Sequence, residues 1–177
     1  HPRPAALRAD RKCHHRRVLP QQGVCDGLLK LRQRNSRKRK LIVFKLSKGA
    51  MGAEISEAFG RFLLGIISVI GMQRSDLDEK DRIQVNLLVD EFQNYAGGNT
   101  LKEALAELRK YKIADTLACQ YPGQLDTETQ KAVFSNTHIK IIGQQQDPTN
   151  ISLLSKTIGA PTETIESLSL GNFLVKN

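Results

Sequence analysis

The sequence predicts an α/β fold in which a parallel sheet carries helices on both faces. Two observations lead to this prediction. Short runs of branched apolar residues, typical of buried strands, alternate along the chain with helical patterns of about ten residues or more. Helix start signals, in which Thr or Asp precedes an apolar period, stand between several of these runs. Strands that alternate with helices in this way are expected to run parallel.

The first predicted strand is LIVFKL at residues 41–46, a short run of branched and aromatic residues. SKGAMG closes it, and apolar residues recurring at three and four over 53–72 predict a helix that is largely buried. A charged loop at 74–82 leads to a second buried strand, Val85–Val89, whose carboxyl end carries Asp90 and Glu91.

The second half of the chain repeats this alternation. A capping box, Thr100 with Glu103, opens the next helix, and a similar pair, Thr127 with Gln130, opens another that reaches about residue 135. Asp147 before a proline caps a further helix. The other predicted elements are strands at 115–120 and 138–143, a short helix at 161–168 and the start of a strand in GNFLVKN at 171–177.

Charge divides the chain into two parts at residue 41. Residues 1–40 hold 13 of the 27 Lys and Arg residues but only Asp10 and Asp26 among the acids, a net charge of +11. The rest of the chain has a net charge of −2, so the overall +9 belongs to the first forty residues. We therefore expect a disordered or non-native basic extension over 1–40 and a partial folded domain over 41–177. Net charge is no evidence that the folded part binds nucleic acid.

The basic extension allows several interpretations. One interpretation is an arm that contacts phosphates through SRKRK at 36–40. The others are a solvated extension and an out-of-frame or vector-derived sequence. A zinc site of Cys13, His14, His15 and Cys25 is a further alternative, but its spacing does not match the paired ligands of structural zinc sites. Three cysteines in total favour a reducing compartment, and we expect neither a signal peptide nor a transmembrane segment.

The strongest chemical signal is NLLVDEF, in which apolar residues end in Asp90 and Glu91. This is a Walker B pattern: the aspartate holds Mg²⁺, often through water, and the glutamate polarises the attacking water. A structural alternative is a loop that merely opens with acids after a strand. Ligands of open α/β sheets bind at the carboxyl ends of strands, so Gln120, which ends the third predicted strand, is a candidate for positioning water or sensing a phosphate. The phosphate-binding pattern G-x-x-x-x-G-K-[ST] is absent.

Several segments, in order, resemble one known family. LIVFKLSKGAMGAEISEAFGRFLLGII, LLVDEFQNY, ELRKYKIADTLACQYPGQL and HIKIIGQQQDPTNISLLSKTIG are similar to the C-terminal half of the motor domain of type IV secretion coupling proteins of the TraD/TraG type. These proteins belong to the HerA/FtsK group of hexameric DNA-pumping ATPases. The resemblance covers about residues 41–177 and implies half of a RecA-like P-loop NTPase domain.

By this resemblance Asp90 would coordinate Mg²⁺ and bind the nucleotide, Glu91 would be the catalytic base and Gln120 the sensor. Arg109 would reach the ATP of a neighbouring subunit in a homo-hexamer. The implied partners are DNA and relaxase or relaxosome proteins. The implied location is cytoplasmic, with full-length relatives anchored at the bacterial inner membrane.

The sequence thus predicts a fragment of an ATP-driven DNA translocase for conjugation or type IV secretion. Because the Walker A half is missing, we expect no ATP hydrolysis by this chain alone. The alternatives are a non-catalytic module that binds a partner subunit or a relaxosome protein, and a degenerate gene product.

Overall fold

A computed structural model describes residues 41–98 and 100–177. The predictions for the basic extension, including the zinc alternative, lie outside the described residues. Four strands are present in this part: β1 (Val85–Val89), β2 (Ile113–Leu117), β3 (Lys140–Ile142) and β4 (Leu174–Lys176). The α-helices are α1 (Lys48–Met51), α2 (Ala53–Met72), α3 (Thr100–Glu107), α4 (Thr127–Asn136), α5 (Pro148–Ile158) and α6 (Thr162–Glu166). Short 3₁₀ turns cover Gln73–Asp76, Glu79–Asp81, Phe92–Tyr95, Leu108–Tyr111 and Pro122–Gln124.

The strands form two separate pairs, so the prediction of one parallel sheet is only partly confirmed. β1 and β2 run parallel, with Val85 opposite Ile113 and Val89 opposite Leu117. β3 and β4 run antiparallel. Two helices, α5 and α6, separate β3 from β4. β4 therefore runs in the opposite direction to β3, whereas a crossover through a single helix would make the two strands parallel. No strand in the described residues joins the pairs, and the RecA-like half-domain remains a prediction.

The predicted strand at residues 41–46 is wrong as a paired element. Its side chains alternate between exposed and half-buried, as they do in extended backbone, and Phe44 packs against α2. Leu41 and Val43, on the other side, are largely exposed. A strand requires a neighbour for its backbone hydrogen bonds, and no described strand is paired with this segment.

Helix α2 has the predicted bounds but is less buried than predicted. Leu63, Leu64 and Ile67 pack into the core, whereas Ile55 and Phe62 are exposed. The helix is apolar on two faces, and the described residues cover one of them. By length and composition, Ala53–Asp76 is a candidate membrane span, a test that the core helix of a soluble protein also passes.

Helix starts agree with local sequence signals in most places. The Asp147 carboxylate accepts hydrogen bonds from the backbone N–H groups of Thr149 and Asn150, as predicted. Helix α3 begins at Thr100, as predicted. The cap of α4 is Asp126, not the predicted pair Thr127 and Gln130, because the Asp126 carboxylate accepts from both the N–H and the hydroxyl of Thr129.

Three other boundaries differ from the predictions. Strand β2 begins two residues earlier than the predicted 115–120, and β3 is shorter than the predicted 138–143. The loop predicted at 74–82 contains two 3₁₀ turns, and its Arg74 is buried.

Two clusters hold most of the core. The larger one joins α2, β1, α3 and α4 through Leu64, Val89, Phe92, Leu101 and Val133. The second lies beneath β3 and β4 and consists of Ile142, Ile151, Leu154, Ile158 and Ile165. The first cluster supports the end of β1 from which Asp90 and Glu91 follow.

Candidate functional site at the carboxyl ends of the parallel strands

The carboxyl ends of β1 and β2 lie side by side. The Ala118 N–H donates to the Val89 carbonyl, and the Phe92 N–H donates to the Ala118 carbonyl, each at 3.0 Å. The chain after β1 is therefore tied to the chain after β2. This pairing brings together the residues that follow the two strands, Asp90 and Glu91 on one side and Gln120 on the other.

Glu91 is the centre of this group. Its carboxylate accepts a hydrogen bond from Gln93 Nε2 at 2.5 Å and a longer one from Gln120 Nε2 at 3.5 Å. Its backbone is left-handed, with φ of 50°, which is uncommon for a residue other than glycine. The turn thus places the Glu91 side chain over the end of β2, where Gln120 contacts it. The structure brings together three of the four predicted site residues.

Asp90 projects from the end of β1 and is exposed. One of its carboxylate oxygens, Oδ1, accepts the Glu91 N–H at 3.0 Å. Mg²⁺ in proteins often uses one or two carboxylates and completes its shell with water and substrate phosphates, so a single exposed aspartate fits it. The described residues contain no group of three or more His, Cys, Asp or Glu that could hold a metal ion by itself.

Gln93 and Lys48 belong to the same region and were not predicted as site residues. Gln93 holds the Glu91 carboxylate, and its own Oε1 is buried without a hydrogen-bond partner. Lys48 Nζ donates to Asn94 Oδ1 at 2.8 Å and to Glu57 Oε1 at 3.2 Å. It therefore fastens the turn after residues 41–46 to the turn after Glu91. Lys48 was recognisable as a residue at the end of a predicted strand, but Gln93 had no signal in the sequence.

The end of β3 approaches the site from the other side. Gln145 Nε2 donates to the Gln120 carbonyl at 3.5 Å. Gly143 and Gln144 connect β3 to Gln145. β3 belongs to a different sheet from β1 and β2, so this contact does not join neighbouring strands of one sheet.

Arg109 lies away from these residues, in the 3₁₀ turn Leu108–Tyr111 that precedes β2. It is exposed, and its Nη1 is 3.2 Å from His138 Nε2. Glu91 and Gln120 are at the carboxyl end of the parallel pair, whereas Arg109 is at the amino end of β2. The structure does not bring Arg109 to the acidic site within one chain.

Two half-buried groups near the strands have altered acidity. Burial, and then the charge of Glu91, raises the pKa of the Cys119 thiol, so it stays protonated at neutral pH and is a poor nucleophile. Burial also raises the pKa of Asp115, in the middle of β2, to about 6. The Cys119 thiol is therefore a weaker candidate for chemistry here than the neighbouring acids and amides.

One family model, described as the TraM recognition site of TraD and TraG, matches residues 84–172, which is half of the chain. The chain belongs to this TraD/TraG C-terminal family. The matched region runs from the residue before β1 almost to β4 and contains Asp90, Glu91, Arg109 and Gln120. Membership confirms the resemblance to TraD/TraG-type proteins and implies a role in conjugative coupling. No curated protein matches the chain.

Proposed function

We propose that this TraD/TraG family member is part of the motor of an ATP-driven DNA translocase that couples a relaxosome to conjugative transfer or type IV secretion. The observation that supports the proposal best is the contact between the Glu91 carboxylate and the Gln120 amide at the ends of two adjacent parallel strands. Both residues lie within the region that matches the family. The proposed role is on the cytoplasmic side of the inner membrane.

The two adjacent acids suit separate tasks. Asp90 is exposed and is the residue we expect to hold Mg²⁺, which would neutralise phosphate charge. Glu91 is held by two amide donors, a geometry that suits a base that accepts a proton from water. Gln120 is free to exchange its long contact with Glu91 for one with water or a phosphate oxygen.

Arg109 fits a role in a neighbouring subunit. It is exposed at the opposite end of β2 from Glu91, so its own acidic site is out of reach. A ring of head-to-tail subunits joins two different surfaces, so the surface that carries Arg109 on one subunit could face the acidic site of the next. An arginine supplied in this way stabilises charge on a transferring phosphoryl group.

The described residues do not supply a phosphate cradle, and the sequence has no Walker A pattern. We therefore expect the purified chain to have no ATPase activity, and Glu91→Gln to leave that baseline unchanged. Measurable turnover that Glu91→Gln abolishes would contradict the expectation. A phosphate release assay with excess Mg²⁺ and ATP makes this measurement.

Complementation tests the proposal directly. A fragment that carries the Walker A half of a related translocase, added in trans, is expected to restore ATP hydrolysis. Glu91→Gln should remove the restored activity, whereas Glu128→Gln, on the exposed surface of α4, should keep it. Activity that survives Glu91→Gln would overturn the assignment of the base.

A second candidate function is partner recognition without catalysis, which the family description as a TraM recognition site favours. In that case a relaxosome protein of the TraM type would bind the chain, and binding would survive Glu91→Gln. A titration of TraM against the chain by isothermal calorimetry tests this, and absence of binding would count against it. The two candidates are compatible, and Glu91→Gln separates them, because it should remove the restored hydrolysis and leave TraM binding intact.

A further inference from the structure

Arg109 is contacted by an imidazole from a different element, that of His138. Arg109 lies in the 3₁₀ turn before β2, and His138 lies in the short loop between α4 and β3. The Arg109 Nη1 atom is 3.2 Å from His138 Nε2, and both side chains are exposed. Neither side chain belongs to the core, so the effect of the contact is on the orientation of the arginine.

The chemistry of the two groups fixes the direction of this hydrogen bond. A guanidinium has only donors, so the imidazole nitrogen that faces it must be the acceptor. The His138 ring is therefore neutral and carries its hydrogen on Nδ1, because both nitrogens of a protonated ring are donors. A neutral ring orients the guanidinium without cancelling its charge, whereas a carboxylate in the same place would neutralise it.

The acid closest in sequence to Arg109 is engaged by a lysine. Both carboxylate oxygens of Glu107 accept from Lys110 Nζ at 2.9 Å. None of the ion pairs formed within residues 41–98 and 100–177 includes Arg109. In this part of the chain the guanidinium therefore keeps its charge, and its N–H groups other than the one toward His138 remain for another molecule.

Both partners stand on anchored backbone. Thr137, the residue before His138, donates from its N–H and its hydroxyl to a carbonyl of α4, at 3.0 and 2.7 Å. The Thr137 carbonyl accepts from Lys140 Nζ at 2.7 Å. In the turn of the arginine, the Lys110 carbonyl accepts from Arg82 Nη1 at 2.7 Å. Hydrogen bonds of this kind hold a functional side chain in a defined position.

The surroundings of His138 favour an anionic ligand. Lys140 lies two residues after His138, and in the antiparallel pair it stands opposite Lys176. Neither lysine enters an ion pair within the described residues. Like charges directly opposite each other destabilise a sheet, and a bound anion would relieve this repulsion. A phosphate group is an anion whose oxygens match the planar donor geometry of arginine.

We propose that His138 is a positioning residue, which holds the Arg109 guanidinium charged and oriented for a phosphate group supplied by another molecule. The inference rests on the proposed function, in which that group belongs to the ATP of the neighbouring subunit. Arg109 contacts the phosphate, and His138 acts through Arg109. Loss of His138 should therefore impair catalysis more than nucleotide binding, because such an arginine acts on charge that develops in the transition state.

The first test is the tautomer of His138 in the full chain. Long-range ¹H–¹⁵N spectra of the histidine-labelled protein, recorded at about pH 8, where an ordinary imidazole is neutral, distinguish the two ring nitrogens. The chain has four histidines, and the spectrum of His138→Gln identifies the signals of His138. We expect hydrogen on Nδ1 in the native chain and a loss of this preference in Arg109→Ala. Hydrogen on Nε2 in the native chain would overturn the proposal.

The same spectra test the ligand. Inorganic pyrophosphate, titrated into the chain alone, should shift the ring signals of His138 in the native protein and much less in Arg109→Ala. Equal shifts in the two proteins, or no shift in either, would overturn the assignment of a phosphate ligand.

The second test is kinetic and uses the complementation assay described above. Arg109→Ala should lower kcat at least about a hundredfold. His138→Leu should lower kcat roughly tenfold and leave KM for ATP nearly unchanged, because the arginine remains but is no longer oriented. His138→Gln should recover most of kcat, since its side-chain oxygen accepts from Arg109 near the place of Nε2. Ile139→Thr, at the next position, which is 61% exposed, is the control and should keep the native kcat.

The tests separate this inference from the proposed function. A native chain that restores no hydrolysis would contradict the motor role alone, and the spectra of His138 would then decide the inference in either direction. If hydrolysis is restored, a native kcat in His138→Leu would overturn the positioning role. So would equal losses in His138→Leu and His138→Gln, or a similar loss in Ile139→Thr.

Discussion

Asp115 is a carboxyl group placed on the core side of β2, between Ile113 and Leu117. One of its oxygens, Oδ1, is buried without a hydrogen-bond partner. Burial raises its pKa to about 6, from an ordinary value of 3.8, because a charged carboxylate is poorly solvated there. The folded state therefore favours the protonated form.

Stability should depend on pH through this residue. The pKa of Asp115 is higher in the folded state than in the unfolded state. Its favourable contribution to the free energy of unfolding is therefore complete below about pH 4 and is lost as the pH rises through about 6. We expect Asp115→Asn to stabilise the protein by about 2 kcal/mol at pH 8, with a smaller effect at pH 5. Urea denaturation at both values measures this. Asp78→Asn, on the surface, should leave the free energy of unfolding unchanged at both pH values. Equal effects of Asp115→Asn at pH 5 and pH 8 would contradict the prediction.

Arg74 is a buried arginine whose partners are carbonyl oxygens. Its guanidinium donates to the Tyr111 carbonyl at 2.6 Å and to the Ile83 carbonyl at 2.5 Å. Burial, and then the nearby charge of Arg82, lowers its pKa. Arg82 in turn donates to the Lys110 carbonyl and stacks on the Tyr111 ring. The two arginines thus hold the turn that carries Arg109.

Removing this anchor should destabilise the fold. We expect Arg74→Met to cost about 3 kcal/mol, because two partly buried carbonyls lose charged donors. Lys80→Met, an exposed change in the same loop, should cost less than about 0.5 kcal/mol. Thermal unfolding compares the two, and a similar melting temperature for both variants would refute the role of Arg74.

At the scale of single elements, α2 depends on close approach at Gly60. A Cβ atom there would lie 2.2 Å from the Tyr95 ring and 3.1 Å from Leu46. We expect Gly60→Ala to destabilise the protein by about 1–3 kcal/mol, since the ring must move. Gly49→Ala is the control: its position in α1 is open, and alanine suits a helix better than glycine does. Urea denaturation that ranks the two in the opposite order would contradict this account.

Local rules predicted the elements that depend on local interactions. The bounds of α2 follow from apolar spacing, and the start of α5 from the Asp147 cap. Elements that depend on pairing were predicted less well. Residues 41–46 have a strand composition but no described neighbour, and β2 begins where pairing with β1 permits rather than at Asp115. An apolar, branched composition is typical of strands, but a strand also requires a neighbouring strand for its backbone hydrogen bonds.

At the scale of the whole molecule, the second core cluster is linked to the first by a polar contact. Asn150 is 5% exposed, and its Oδ1 accepts the Gly123 N–H at 3.0 Å. Its Nδ2 donates to Asp147 at 2.6 Å, which ties the same side chain to the start of α5. No described strand connects the two sheets, so side-chain contacts such as this one hold them together.

Loss of this contact should loosen the second cluster first. We expect Asn150→Ala to cost about 1–3 kcal/mol, because the Gly123 N–H loses its acceptor. Amide hydrogen exchange should rise in β3 and α5 before it rises in β1. Asn136→Ala, at an exposed site that bonds only within α4, should leave exchange in β3 unchanged. A uniform rise across both clusters would show that they open as one unit.

The candidate site was also predictable only in part. Asp90, Glu91 and Gln120 were predicted as candidates because they stand at the carboxyl ends of strands, and those ends meet at one edge of a parallel sheet. Two hydrogen bonds depend on turn conformation instead: the one from Gln93 to the Glu91 carboxylate and the one from Lys48 to Asn94. Side-chain contacts within irregular turns have no period or spacing that a sequence pattern can record.

The left-handed backbone at Glu91 lowers the stability of the fold at a residue whose side chain we propose as the catalytic base. A glycine would adopt that conformation without cost, whereas glutamate pays on the order of 1 kcal/mol to occupy it. A mutational scan that scores only cellular abundance should therefore enrich Gly or Asn at position 91. A scan that scores DNA transfer should reject both, and the difference between the two scans would identify residues kept for their chemistry at the expense of stability.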